Sequence, residues 1–175
     1  QASITAYKTA LDNVEGKIGG QVDPSIIVPL RTDSSDFLQY LSRHINVQSS
    51  IRYKAERTAI VGASAGTDVN TAINLAKTIS NTRFRMVYPD SVIVPVTDAV
   101  GDTREFLVDG TYLSAALVGN RVSPNRDVAT PWTNAQLVGF SQLGRILDAV
   151  EQNQVSVNGI TVLSDQAPFI KVRHG

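Results

Sequence analysis

An α/β fold is what this sequence predicts: a mostly parallel sheet flanked by helices, with an inserted β-hairpin and antiparallel strands near the C-terminus. Three observations carry that expectation. Short, branched apolar runs at residues 25–30, 58–62 and 84–88 alternate with longer stretches of helical periodicity, the rhythm of strands joined by covering helices. Residues 91–96 and 104–108 flank a turn-rich segment holding Asp98, Gly101 and Asp102, which reads as a hairpin. Two apolar runs, 160–163 and 169–173, close the chain around a turn at 165–168.

Each element has a local cause. Ile4, Tyr7, Ala10, Leu11 and Val14 fall at helical spacing, and Gly16 with Gly19 and Gly20 ends that helix. Residues 25–30 form the first buried strand. Ser34 or Ser35 caps a helix with Phe37, Leu38, Leu41 and Ile45 on one face. After the strand 58–62, Asp68 caps a helix carrying Val69, Ala72, Ile73, Ala76 and Ile79. The strand 84–88 stops at Pro89 and Asp90. Strands joined by helices in this way are connected by right-handed crossovers.

Beyond the hairpin, Asp109 and Gly110 turn the chain into a helix bearing Tyr112, Leu113, Ala116, Leu117 and Val118, ended by Gly119 and Asn120. Residues 121–131 hold two prolines and no periodicity, and read as a loop. A short strand is expected at 137–140. Ile146, Leu147, Val150 and Gln154 stripe the last helix, which ends near Asn158 and Gly159.

With 175 residues, 42% of them hydrophobic and 18% charged, the chain can bury a core as a single domain over 1–175. Sixteen basic and sixteen acidic residues leave no net charge to attract nucleic acid or an anionic membrane. Without cysteine there is no disulfide, thiolate nucleophile or thiolate metal site. No apolar run approaches the roughly 20 residues that span a bilayer. The opening segment mixes Lys8, Asp12 and Glu15 into its apolar residues, unlike a signal peptide. A piece of a longer polypeptide is expected.

The sharpest catalytic motif is Gly62-Ala63-Ser64-Ala65-Gly66, which matches the G-x-S-x-G nucleophile elbow between a strand and a helix. It makes a serine hydrolase acting through Ser64 the alternative function. Against it, Asp68 caps the following helix, leaving Ser64 in a loop, and the only later histidine is His174. A subtilisin-like order would run Asp33 or Asp36, His44, Ser64. His44 is expected on the second helix as a boundary, solvated or capping side chain.

Two histidines 130 positions apart give no zinc spacing, and Asp98 with Asp102 lacks the alternation of a calcium loop. The glycines at 16, 19, 20, 62 and 66 fit neither phosphate-binding signature and are explained by turns. The basic groups Arg52/Lys54/Arg57, Arg83/Arg85 and Arg121/Arg126 read as solvated faces. A small-ligand module remains a third possibility, because parallel sheets bind ligands beyond the carboxyl ends of their strands.

The order of segments resembles the contractile phage tail sheath family, in its subtilisin-like sheath domain. The strand 83–88 ending in Tyr88-Pro89 is similar to a strand of that family. The helix 112–119 ending in Gly119, the segment 127–134 with Pro131, Thr133 and Asn134, and the helix 147–158 leading through Gly159-Ile160 into a strand also resemble it. Residues 1–61 agree in layout more than in residue types. The resemblance implies a structural protein of the virion, a bacteriophage tail component without enzymatic activity or cofactor. Such a subunit self-associates into a homo-oligomeric helical sheath or stacked rings around a tail tube protein, with baseplate and tail terminator proteins as further partners. It is assembled in the host bacterial cytoplasm and contracts to drive the tube through the target envelope. No catalytic, cofactor-binding or metal residues follow from it, nor are the interface residues identified. The family's C-terminal sheath domain is not represented in residues 1–175.

Overall fold

A computed structural model describes residues 3–14, 25–30, 34–121, 132–166 and 169–174. In chain order its elements are α1 (Ile4–Val14), β1 (Ile26–Ile27), α2 (Ser35–Gln48), β2 (Thr58–Gly62), α3 (Val69–Ile79), β3 (Phe84–Tyr88), β4 (Ser91–Thr97), β5 (Thr103–Asp109), α4 (Thr111–Arg121), β6 (Gln136–Leu137), β7 (Gln142–Leu143), α5 (Ala149–Val157), β8 (Thr161–Gln166) and β9 (Phe169–His174).

The main sheet has the strand order β1-β2-β3-β8-β9-β6. β1, β2, β3 and β8 run parallel, whereas β9 is antiparallel to both β8 and β6. Alternate residues of the parallel strands point to opposite faces. On one face Ala59 and Val61 meet α1, α2 and α3 through Leu11, Phe37, Leu38, Leu41, Ile45 and Ile79. Met86, Tyr88 and Val162 continue that face against Ala72, Ile73 and Val155 of α3 and α5. On the other face Ile60, Val87, Leu163 and Val172 pack on Leu113 and Leu117 of α4. This two-sided burial is why β2 and β3 are apolar runs without alternation.

Two of the helix starts are set by the caps expected from sequence. Ser34 Oγ accepts from the Phe37 amide at 3.3 Å, and Asp68 Oδ1 accepts from the Thr71 amide at 2.9 Å. The Thr71 amide and hydroxyl hold the Asp68 carboxyl below the usual carboxylate range. α5 opens on a capping box between Asp148 and Glu151.

The hairpin β4–β5 is also as expected, paired without interruption from Ser91↔Asp109 to Thr97↔Thr103. It belongs to a second sheet of order β5-β4-β7.

Several expectations need correction. The first strand shrinks to two residues. The strand expected at 137–140 is replaced by two-residue strands at 136–137 and 142–143, serving different sheets. The last helix begins at Ala149, after Ile146 and Leu147. Leu147 and Val155 are buried, whereas Ile146 and Val150 are exposed. Those two apolar residues sit on the outside because Leu147 and Val155 are the side chains that pack against Ala72 and Ile73 of α3. The turn expected at 165–168 starts later, since Asp165 and Gln166 still pair with Ile170 and Phe169. The glycines at 16, 19 and 20, Asp33, the loop 122–131 and Arg126 lie outside the described residues.

Candidate functional site

The carboxyl ends of β2 and β3 are where the sequence placed its catalytic motif, and they are closed by the protein's own groups. The β2 backbone and the turn before α4 touch here: a Cβ on Gly62 would lie 2.2 Å from the Gly110 carbonyl oxygen, and one on Gly110 2.5 Å from the Pro89 carbonyl oxygen. Only glycine permits that approach. The Gly110 amide donates to the Asp90 carbonyl at 2.6 Å, tying the base of the hairpin shut.

Two carboxylates then hold the loop after β2. Asp109 Oδ2 accepts from the Ala65 amide at 3.2 Å while Oδ1 accepts from the Thr111 amide at 2.9 Å. Asp90, itself buried, accepts from the Gly66 amide at 2.7 Å. Tyr88 donates its hydroxyl to the Thr67 carbonyl at 2.9 Å. Burial of that phenol pushes Tyr88 up to about 12, against the pull of the Arg145 guanidinium over its ring. Arg145 is in turn held by Glu151 at 3.0 Å.

This arrangement answers the hydrolase alternative. In a nucleophile elbow the amide of the residue after the serine is an oxyanion donor. Here that amide, Ala65 N–H, already points at a carboxylate, which would repel an oxyanion. Both histidines are also carried on backbone remote from Ser64. His44 is buried on α2, 3% exposed, with Nε2 2.6 Å from Arg57 Nη1. Arg57 precedes β2 and Ser64 follows it, roughly 20 Å apart at the rise of an extended strand. His174 pairs with Val162, and its backbone is three strands from β2, about 14 Å at the spacing of a sheet. Asp36 lies in the first turn of α2. The G-x-S-x-G alternative is not supported.

His44 and Arg57 also correct two sequence expectations, a boundary histidine and a solvated arginine. Arg57 is 2% exposed. Its Nη2 donates to the Val14 carbonyl at 3.2 Å, and its amide donates to Ser49 Oγ at 2.9 Å. Because guanidinium has donors only, the facing nitrogen of His44 must accept, which fixes a neutral ring with its proton on Nδ1. The pair fastens α1, α2 and β2 together. Arg83, by contrast, lies at the surface with Glu56, and Arg85 stacks over Trp132 at 5.2 Å.

Among the described residues no three His, Asp or Glu side chains converge as a metal site would require. Cavities of about 560 Å³ and 520 Å³ lie away from the carboxyl ends of the strands. One is an open groove between α2 and α3 beside Arg43 and Thr78, and the other sits at the amino ends of β3 and β8 beside Arg85 and Thr161. The crevice in which parallel sheets usually bind ligands is filled by Asp90, Asp109 and the 63–67 loop.

What remains open is the outer part of the hairpin. Thr103 to Leu107 are exposed along their whole length, with Phe106 at 50% and Leu107 at 65%. Exposed apolar side chains on a strand edge suit contact with another polypeptide. Sequence reasoning identified the hairpin and missed this property, because alternation in 104–108 does not say which face or edge another element covers.

No protein-family model matches the sequence, and no curated protein matches it in sequence. Solved structures do match in fold. The sheath tail protein of Desulfitobacterium hafniense superimposes with a TM-score of 0.66 at 10% identity, covering 98% of this chain and 34% of that one. The anti-feeding prophage helical sheath in its contracted state gives 0.64 at 12% identity, over 100% of this chain and 44% of that one. A chain of the anti-feeding prophage baseplate gives 0.60 at 14% identity, over 100% and 42%. The chain therefore spans between a third and a half of the length of these structures. Across its whole length it has the α/β fold found in tail sheath proteins.

Proposed function

We propose that this chain is the α/β core of a contractile-tail sheath subunit, a mechanical component with no enzymatic activity. The observation that carries the reading is the fold shared along 98–100% of the chain with sheath and baseplate proteins of contractile tails. The closed carboxyl ends of β2 and β3 support it, since an inert block needs no crevice.

In this reading residues 1–175 act as one α/β domain of a longer subunit. Copies stack head to tail around a tail tube protein, through contacts that do not close on themselves. Baseplate and tail terminator proteins bound the polymer at its two ends. The particle is a virion tail or a related phage-like device, assembled in the cytoplasm of its bacterial host. Contraction is rigid-body rotation of subunits from a high-energy extended array, driving the tube through the target envelope. The free energy is conformational, so neither nucleotide nor metal is required.

Negative-stain microscopy of the polypeptide encoded by the complete reading frame tests this directly. Rings or tubes are expected, and a species that stays monomeric at every concentration removes the proposal. A serine-directed fluorophosphonate should leave Ser64 unlabelled; labelling lost in Ser64→Ala would restore the hydrolase.

A further inference from the structure

The buried pair of His44 and Arg57 has one member that ordinarily titrates near neutrality. Both side chains are almost fully enclosed, and Nε2 of the ring lies 2.6 Å from Nη1 of the guanidinium. Arginine keeps its proton and can only donate, so the ring must offer it a lone pair. An imidazolium in the same place would turn N–H against N–H and set two cations in contact.

The pair also holds the end of α1. Arg57 Nη2 reaches the carbonyl of Val14, the last residue of that helix, while the Arg57 amide is fixed to Ser49 Oγ beyond α2. Leu11 is the single side chain described as buried on α1. Its other ties include the Tyr7 hydroxyl on the Leu30 carbonyl at 2.6 Å and Asp12 on the Tyr40 hydroxyl. A helix with so little apolar burial is seated to a large degree by polar contacts.

The neighbouring charges are engaged elsewhere or face solvent. On α1, Asp12 meets Tyr40 and Lys8 lies over the Tyr40 ring. In the turn before β2, Glu56 pairs with Arg83, Arg52 lies over Tyr53, and Lys54 is exposed. Asp36 and Arg43 of α2 and Lys77 of α3 are exposed, and β2 carries no titratable residue.

We propose that this pair is an acid-sensitive latch on α1: protonating His44 parts the ring from Arg57, withdraws the guanidinium from the Val14 carbonyl and releases α1 from α2 and β2. The latched form favours the neutral ring, so the released form takes up the proton first, near the ordinary imidazole value of about 6.5. The latch is therefore whole above that pH and weakens as pH falls below it. Between about pH 7.5 and about pH 5 the ratio of released to latched chains should rise roughly 30-fold. The latch is independent of the sheath reading.

Native-state hydrogen exchange, corrected for the intrinsic pH dependence of amide exchange, measures that ratio. Protection of the amides of residues 8–14 should fall roughly 30-fold over this range, and should stay below that of Val61 and Val87 at each pH. His44→Gln supplies a carbonyl acceptor without a titrating proton and should hold α1 protection constant. His174→Gln should respond as the unmodified chain does. Unchanged protection in the unmodified chain, a fall retained in His44→Gln, or α1 protection equal to that of Val61 overturns the proposal. If His44→Gln misfolds, the ring signal of His44 in the folded chain decides: a midpoint below about 6.5 supports the latch, and one at or above it overturns it.

Discussion

The parallel strands β2 and β3 and the hairpin β4–β5 are neighbours with opposite surroundings. From Ala59 to Ala63 and from Met86 to Val92 each residue is buried, whereas Thr97 to Leu107 are exposed without exception. Both regions are well-formed sheet with continuous register. Strand geometry does not distinguish them; what covers the strand does. The buried half has helices on one face, α4 on the other and its loop ends bolted by Asp90 and Asp109, so it behaves as one solid piece. Among the described residues the hairpin is held at its root, by β7 and the Gly110–Asp90 bond, and its outer part presents apolar side chains outward.

Substitutions can break that contrast, and the largest effect should come from Gly62→Ala. Its new Cβ would overlap backbone 2.2 Å away, which no rotamer change relieves. A loss of at least about 3 kcal/mol is expected in denaturant unfolding, a large share of the stability of an ordinary domain. Leu113→Ala, at the fully buried centre of the α4 interface, should lose about 3 kcal/mol in the same assay through lost contacts and a residual cavity.

Arg57→Ala should cost about 2 kcal/mol by leaving the Val14 carbonyl and the His44 ring short of a buried donor. If it costs nothing, the fastening of α1 to α2 and β2 is misread.

Tyr88 sharpens the comparison through pH. Its neutral form is favoured in the fold, so the unfolded chain loses that proton first, near 10.0, and the folded chain near 12. Stability from this group is therefore whole below about pH 10 and falls as pH rises from about 10 to 12. Ultraviolet titration should show a tyrosine step near 12, and Tyr88→Phe should abolish it. The smallest effect belongs to the hairpin: Phe106→Ser should change stability by no more than about 0.5 kcal/mol, despite removing an aromatic ring. A larger loss would mean that the hairpin is part of the core.

Much of the fold was legible because its causes are local. Asp68 and Ser34 cap helices through amides three residues away, and the Asp98 side chain shapes the hairpin turn by accepting from the Val100 and Asp102 amides. The G-x-S-x-G motif was also visible, but its meaning was not. Whether the amide of Ala65 meets a substrate or a carboxylate depends on Asp109, 44 positions on. Two-residue strands such as β6 and β7 carry too little pattern to be read at all.

The sequence by itself determined the strand–helix order, the caps, the hairpin and the absence of thiol chemistry, since periodicity, turn residues and composition act within a few residues. Only the tertiary structure decided that His44 and Arg57 would be buried together, that Ile146 and Val150 would face outward, and that Phe106 and Leu107 of β5 would be exposed. Each of those outcomes depends on which distant surface arrives at the site, and burial is a property of the assembled layers rather than of any segment.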